Sequence, residues 1–278
     1  MDQQKVTSRE YKMLLRAKRF DGDEEALGRQ ARKFWRAFTS AAAGSIIRTA
    51  GVPDTVKTRR LVTFLDTAGQ HLNAAGYILR ERRNGDDDDS EVTLKFRHPD
   101  GFVSQDRSMR AATRAHDAET KFEEDIKSSD SGKTPFVSVY SFSTTVKGLD
   151  RQVFPALKDV QRVFPDLRGR LKPANGSSGL HRVSRFTALE LVLKGGYLTI
   201  ASRPEMKAQC ALIVWYDHSA KKHHRPILVE FSFRYGSDDG RYAGSTCARA
   251  YSVFRTLQTH LDGWVDPDGS TKTAFVYG

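Results

Sequence analysis

Cysteine is nearly absent from this sequence. Cys210 and Cys247 are its only two among 278 residues, too few for a disulfide framework. Both are expected to be reduced and buried, which makes a cytoplasmic location the expectation. No stretch approaches the ~20 apolar residues that a spanning helix needs, so no membrane partner is expected. The opening segment, MDQQKVTSREYK, lacks the apolar run of a secretory leader. Several signatures are missing as well. There is no G-x-x-x-x-G-K: Ser177-Ser178 and Gly195-Gly196 read as turn residues. There is no G-x-S-x-G, and the histidines form no H-x-x-x-H pair. No internal repeat recurs at a fixed period. These absences exclude the phosphate loop, the hydrolase nucleophile turn and a helical zinc motif as organising features.

Acidic residues are also short. Asp and Glu number 34 against 45 Lys and Arg, leaving a net charge of +11. That balance favours anionic partners such as phosphates, nucleic acid or acidic surfaces, without choosing among them. With 38% hydrophobic and 28% charged residues, the chain has the composition of a folded globular protein. Its length fits one large all-β or α+β domain, or two smaller ones.

What the sequence does contain is a set of strands with one apolar and one charged face. Residues 76–97, GYILRERRNGDDDDSEVTLKFR, read as two strands joined by an acidic loop. Side chains alternate across a strand. Val92, Leu94 and Phe96 therefore face away from Thr93, Lys95 and Arg97, and Ile78, Arg80 and Arg82 share a parity in the first strand. The loop's Asp86, Asp87, Asp88 and Asp89 fit a solvated hairpin tip or a divalent-metal site. In residues 227–235, Val229, Phe231, Phe233 and Tyr235 oppose Glu230, Ser232 and Arg234. Residues 6–15 place Ser8, Glu10 and Lys12 opposite Tyr11, Met13 and Leu15, and residues 121–126 place Lys121, Glu123 and Asp125 together.

Between these lie other elements. A helix is expected in residues 21–50, capped by Asp21 or Asp23, and others in residues 150–163 and 239–264. Residues 104–119 have helix-like composition. Strands are expected at 58–67, 183–193, 197–201 and 209–217, with a further one at 136–146. Trp35 and Trp215 read as packing residues. Residues 128–133 read as a loop and 173–179, PANGSSG, as a turn or linker. Helices need a sheet surface to cover, and the apolar strand faces can supply it. The charged faces then look at one another across a closed or cupped antiparallel barrel. Burying an unpaired ion costs on the order of several kcal/mol in lost hydration. Such an interior becomes useful if it holds a polyanion, gripped by guanidinium and ammonium groups, and a hard cation held by carboxylates.

In these residues the chain resembles the CYTH, or triphosphate tunnel metalloenzyme, superfamily. The family's E-x-E-x-K strand is matched by Ser8-Arg9-Glu10-Tyr11-Lys12, and a Y-F-D-T-like stretch by Thr63-Phe64-Leu65-Asp66-Thr67. An L-R-x-R strand is matched by Leu79-Arg80-Glu81-Arg82, and T-L-K by Thr93-Leu94-Lys95. An R-x-E-x-E-like strand resembles Lys121-Phe122-Glu123-Glu124-Asp125. The late basic residue resembles Arg185, the acid ending the penultimate strand resembles Asp217, and the final E-x-E resembles Glu230-Phe231-Ser232. The likeness runs from Ser8 to Arg234. It implies one α+β domain over residues 1–278, an eight-stranded antiparallel barrel with helices outside and insertions near 21–57 and 127–180.

The resemblance also implies roles. Glu10, Asp217 and Glu230 would hold Mg²⁺ or Mn²⁺. Lys12, Arg80, Arg82, Lys95 and Arg185 would grip the phosphates of a small triphosphate or polyphosphate. Glu10, Lys12, Glu123 and Glu230 would form the catalytic set, with Glu123 and Asp125 holding metal or ordering the bases. The expected function is metal-dependent hydrolysis of a triphosphate, tripolyphosphate first. Ser8 and Ser232 depart from the pattern, standing where the family's metal strands carry glutamate, and serine is a weak, neutral ligand for Mg²⁺. The alternative is therefore a non-catalytic or weakly catalytic polyphosphate- or nucleotide-binding protein. Read from the residues alone, Glu10 and Glu230 also fit salt bridges, and Asp217 also fits a turn cap. Nucleic acid is a further partner, through the basic loop at residues 221–225, although no recognition motif supports it.

Overall fold

The alternation of apolar and charged residues is what closes the sheet. In the computed structural model, which describes residues 4–84, 90–112, 117–129, 136–171 and 177–278, the elements in chain order are β1 (Ser8–Leu15), α1 (Glu24–Ala41), β2 (Arg48–Ala50), β3 (Thr55–Thr67), α2 (His71–Ala74), β4 (Tyr77–Asn84), β5 (Ser90–His98), α3 (Gly101–Gln105), β6 (Ala118–Lys127), β7 (Val137–Lys147), α4 (Leu157–Val163), β8 (Leu180–Arg182), β9 (Ala188–Ser202), β10 (Glu205–Asp217), β11 (Leu228–Gly236), α5 (Gly244–His260) and α6 (Lys272–Tyr277). The four aspartates of the hairpin loop lie outside the described residues, as do parts of the stretches 128–133 and 173–179.

The strands pair in the order β9-β10-β11-β1-β6-β7-β5-β4-β3, and β3 pairs again with β9 to close the ring. The α+β barrel with outer helices is as expected, but the ring has nine strands and is mixed. β1 runs parallel to β6, with Ser8 opposite Glu123 and Glu10 opposite Asp125. Side-chain parity fixes which face a strand turns inward; it carries no information on the direction of its neighbour. β2 and β8 are short additions on β9 and β3.

The outer faces carry the core. α1 starts at Asp23, whose carboxylate accepts the Ala26 amide at 2.8 Å, and its buried residues Leu27, Ala31, Phe34, Trp35 and Phe38 recur at helical spacing. Phe34 and Phe38 each meet the Phe231 ring at 5.0 Å between centroids. On the same side Phe254 of α5 packs on Tyr11 at 5.3 Å. A second cluster joins Leu79, Leu94, Phe96 and Phe142 to Leu157, Val160 and Phe164. Each apolar parity thus lies under a helix, which leaves Glu10, Lys12, Lys95, Glu230 and Ser232 pointing inward.

Some local expectations change. Gly195-Gly196 is no turn: β9 runs through it, and the pairing with β10 slips there, Cys210 facing Gly196 and Ala211 facing Lys194. Gly195 has φ +122°, and a Cβ on Gly51 (φ +66°) would sit 1.9 Å from the Gly195 carbonyl oxygen, so these glycines permit a close crossing and a bulge. Among the described residues of 104–119 only the end of α3 is helical, and β6 begins at Ala118. Residues 183–185 form a 3-10 turn, not strand, with Ser184 and Arg185 at φ +52° and +54°. Both cysteines are free; Cys210 is buried, but Cys247 is half-buried. Among the described residues no helix is long and apolar enough to cross a membrane.

Candidate functional site

The inward faces enclose a chamber of ≈ 490 Å³. Among its described lining residues eleven side chains are basic and six acidic, a surplus of five cations. β1 supplies Glu10 and Lys12, β4 Arg80 and Arg82, β5 Lys95 and Arg97, β6 Glu123 and Asp125, and β11 Glu230 and Arg234. α6 covers one end with Lys272. Toward the other end a second hollow of ≈ 300 Å³ shares Lys121, Glu123 and Arg234 with the chamber and adds Ser8 and Lys207. Lys121 and Arg234 are each 45% exposed, so this end is a basic mouth.

The acids are committed to neighbouring bases. Asp125 is the hub: its carboxylate meets Lys12 at 2.8 Å, Lys95 at 3.4 Å and Arg97 at 3.7 Å, and accepts the Ser141 hydroxyl at 3.0 Å. Burial by itself would raise Asp125; the three cations, Lys12 foremost, hold it well below the usual carboxylate value. Glu10 lies 3.1 Å from Lys12. Burial pushes Glu10 up, but Lys12 and the Ser232 hydroxyl bring it below the ordinary value. Lys12 shows the reciprocal effect, its ammonium stabilised against burial by Asp125, Glu10 and Glu230. Glu230 accepts from Lys272 at 2.8 Å, and Glu123 faces Arg234 at 3.6 Å.

The bases are less well matched. Lys95 is lowered to about 8, by burial first and then by Arg97 and Lys12, with Asp125 opposing. Arg80 makes no ion pair among the described residues, and its buried Nε has no hydrogen-bond partner. Burial, then Arg82, Arg60 and Arg97, push it well below the usual guanidinium value. Arg82 is pulled down by burial and Arg60 despite its contact with Glu91 at 3.1 Å.

Eight of the ten residues singled out from sequence thus meet in one chamber: Glu10, Lys12, Arg80, Arg82, Lys95, Glu123, Glu230 and, beside them, Asp125. The other two do not. Arg185 sits exposed in the turn after β8 and is not among the described residues that line the chamber. Asp217 ends β10 at a hairpin, where its Oδ1 accepts the Ser219 amide at 2.8 Å and hydroxyl at 2.7 Å. It caps the turn, and those bonds lower its pKa.

Other members were missed. Arg60 donates to Glu190 at 2.6 Å, and the Trp215 indole donates to the other Glu190 oxygen at 2.7 Å. The alternation Ala188, Glu190, Val192, Lys194 in β9 carried the signal for Glu190. Lys272 lies in a polar C-terminal stretch and gave none.

Mg²⁺ and Mn²⁺ take several oxygen ligands. Among the described residues no group of three or more His, Cys, Asp or Glu side chains could hold a metal. Glu10 and Glu230 are each bonded to a lysine, Ser232 is neutral, and Asp217 caps its own turn and is not among the described lining residues. This donor set does not fit a divalent cation.

No family model matches the chain, and no curated protein matches it. Solved structures similar to it include an adenylyl cyclase candidate from Hippeastrum with a dominant triphosphatase activity, at 10% identity and TM-score 0.46, covering 98% of this chain and 95% of that one. Another is an adenylate cyclase candidate from Bacillus halodurans, at 11% identity and TM-score 0.41, covering 99% of each chain. A third, from Vibrio parahaemolyticus, is also an adenylate cyclase candidate, at 10% identity and TM-score 0.35, covering 98% of this chain and 99% of that one.

Proposed function

We propose that the barrel is a binding chamber for a small linear polyanion, a triphosphate or short polyphosphate. The observation that carries this reading is Arg80: a guanidinium turned into an enclosed lumen, without an ion-pair partner among the described residues and crowded by Arg60, Arg82 and Arg97. A half-buried guanidinium without an ion pair carries a desolvation cost. A phosphate oxygen would relieve it through charge-assisted hydrogen bonds, for which arginine's fork is suited. The surplus of five cations around the chamber favours a ligand with several negative charges over a single phosphate. A polyanion enters at the mouth marked by Lys121 and Arg234, since α6 covers the other end. An attached nucleoside or other organic group stays at that mouth.

The hydrolase expected from the resemblance requires Mg²⁺ or Mn²⁺. The carboxylates that would hold the ion are engaged with Lys12 and Lys272, so binding is the reading the geometry supports best and no catalytic step is assigned. Calorimetry with tripolyphosphate, ATP and thiamine triphosphate tests it. Saturable binding that weakens in Arg80→Ala is expected; no binding of any of the three overturns it. Phosphate release in Mg²⁺ or Mn²⁺ that Glu230→Gln abolishes would restore the hydrolase.

A further inference from the structure

α6 is only six residues long, yet it is tied down at nearly every position. Thr271 caps it, accepting the Ala274 amide at 3.3 Å. Arg97 donates to the Thr273 hydroxyl at 3.1 Å, and Ser184 donates to the Val276 carbonyl at 2.8 Å. Val276 is buried, Phe275 meets Phe186 edge-on, and Tyr277 packs on Phe64 while donating its hydroxyl to Asp66 at 3.3 Å. Together these contacts fix Lys272 at the end of the chamber, with its side chain 17% exposed. Its ammonium lies 2.8 Å from Glu230 and 5.7 Å from the Trp215 ring centroid.

Glu230 is one of the acids the resemblance assigns to a divalent ion. Here its companions are spent: Ser232 carries no charge, Asp217 caps a turn and Glu10 holds Lys12. A divalent ion at Glu230 would have to displace an ammonium already in hydrogen-bond contact, and would gain one carboxylate in a lumen with a positive surplus. An ammonium has three donors. Glu230 takes one of those of Lys272, which leaves donors for phosphate oxygens.

We propose that Lys272 is the resident cation of this site: it neutralises Glu230 and offers its ammonium to the phosphate nearest α6, so that polyanion binding needs no divalent metal. This inference rests on the polyanion-binding reading.

The test titrates sodium tripolyphosphate into the full chain, in EDTA and in excess Mg²⁺. Wild type, Lys272→Met, Lys272→Gln and Lys272→Arg are compared, with thermal melts confirming that each is folded. Wild type is expected to bind in EDTA. Lys272→Met and Lys272→Gln are expected to bind about tenfold or more weakly there, the loss of one charge-assisted contact, and Lys272→Arg to retain most of the affinity. Wild-type protein without tripolyphosphate should leave the free Mn²⁺ electron-paramagnetic signal unchanged. Binding only in Mg²⁺, or Mn²⁺ uptake by wild type, overturns the metal-free site and leaves polyanion binding standing. Undiminished binding by folded Lys272→Met or Lys272→Gln in EDTA overturns the role of Lys272. No binding in either buffer overturns the polyanion reading itself.

Discussion

Arg60 donates to Glu190 across 2.6 Å, and Trp215 holds the second Glu190 oxygen at 2.7 Å. The pair joins β3 to β9 at the seam that closes the barrel. Both Glu190 oxygens are engaged, and the residue is 3% exposed, so the pair is a structural anchor as much as part of the lumen. Removing one partner of a buried pair costs about 3–5 kcal/mol, because the other charge stays behind. Glu190→Gln keeps a donor-acceptor side chain of the same shape but strands Arg60, and chemical denaturation should show a loss of that order. The pH dependence follows from the same contacts. Burial opposes the Glu190 carboxylate, but Arg60, Lys272 and Arg82 hold its pKa below the ordinary value. Its contribution is present above the unfolded carboxylate pKa and is lost as pH falls below it. Acid titration of stability should therefore be shallower in Glu190→Gln than in wild type.

Arg80 should behave in the opposite way. It has no ion-pair partner to strand among the described residues, and its charge is resisted by burial and by three neighbouring guanidinium groups, those of Arg82, Arg60 and Arg97. Arg80→Met is expected to leave the free protein as stable as wild type or more so, since an apolar replacement removes a desolvation cost. Tripolyphosphate affinity should fall roughly 10- to 100-fold, the equivalent of about 1.5–3 kcal/mol for a hydrogen bond to a charged group. A thermal melt beside a calorimetric titration checks both. A variant that is less stable and binds normally would show that Arg80 serves the fold.

The contrast between these arginines shows how far the sequence could be read. Thr93, Lys95 and Arg97 alternate cleanly with Val92, Leu94 and Phe96, so the inward face of β5 is legible at period two. Arg60 shares its parity with Thr58, Val62 and Phe64, and the apolar members hid it. Val62 and Phe64 point inward because α6 supplies an apolar surface there, Tyr277 meeting Phe64 edge-on. The partners of each charge were not legible either. Lys272 and Glu230 are far apart in the chain, and nothing periodic marks residue 272. The parallel pairing of β1 with β6 escaped for the same reason, since alternation is identical in both directions.

Arg185 and Asp217 separate the geometry from the family pattern. The pattern gives them phosphate and metal roles, whereas the fold leaves Arg185 exposed in a turn and spends the Asp217 carboxylate on Ser219. Arg185→Ala should leave tripolyphosphate affinity within about twofold, as expected of a surface change remote from the ligand. Asp217→Ala should do the same while costing about 0.5–1.5 kcal/mol of stability, the worth of a lost intramolecular hydrogen bond. Titration and denaturation of both variants check this. A tenfold loss of affinity in either would mean that the residue reaches the chamber.

Lys95 should make binding depend on pH in a predictable direction. Burial, Arg97 and Lys12 lower its pKa to about 8, so in the free protein it is partly neutral just above neutrality. A polyanion favours the ammonium and raises that pKa. The protein should therefore take up protons on binding near pH 8. Affinity should be greatest below pH 8 and decline as pH rises, because each complex formed there must first charge the lysine. Tripolyphosphate titrates too, and the comparison that isolates Lys95 is Lys95→Met measured over the same range. Calorimetry from pH 7 to pH 9, in two buffers of different ionisation enthalpy, should give proton uptake for wild type in excess of that for Lys95→Met. Equal uptake by the two proteins would place the polyanion away from β5 and remove Lys95 from the binding wall.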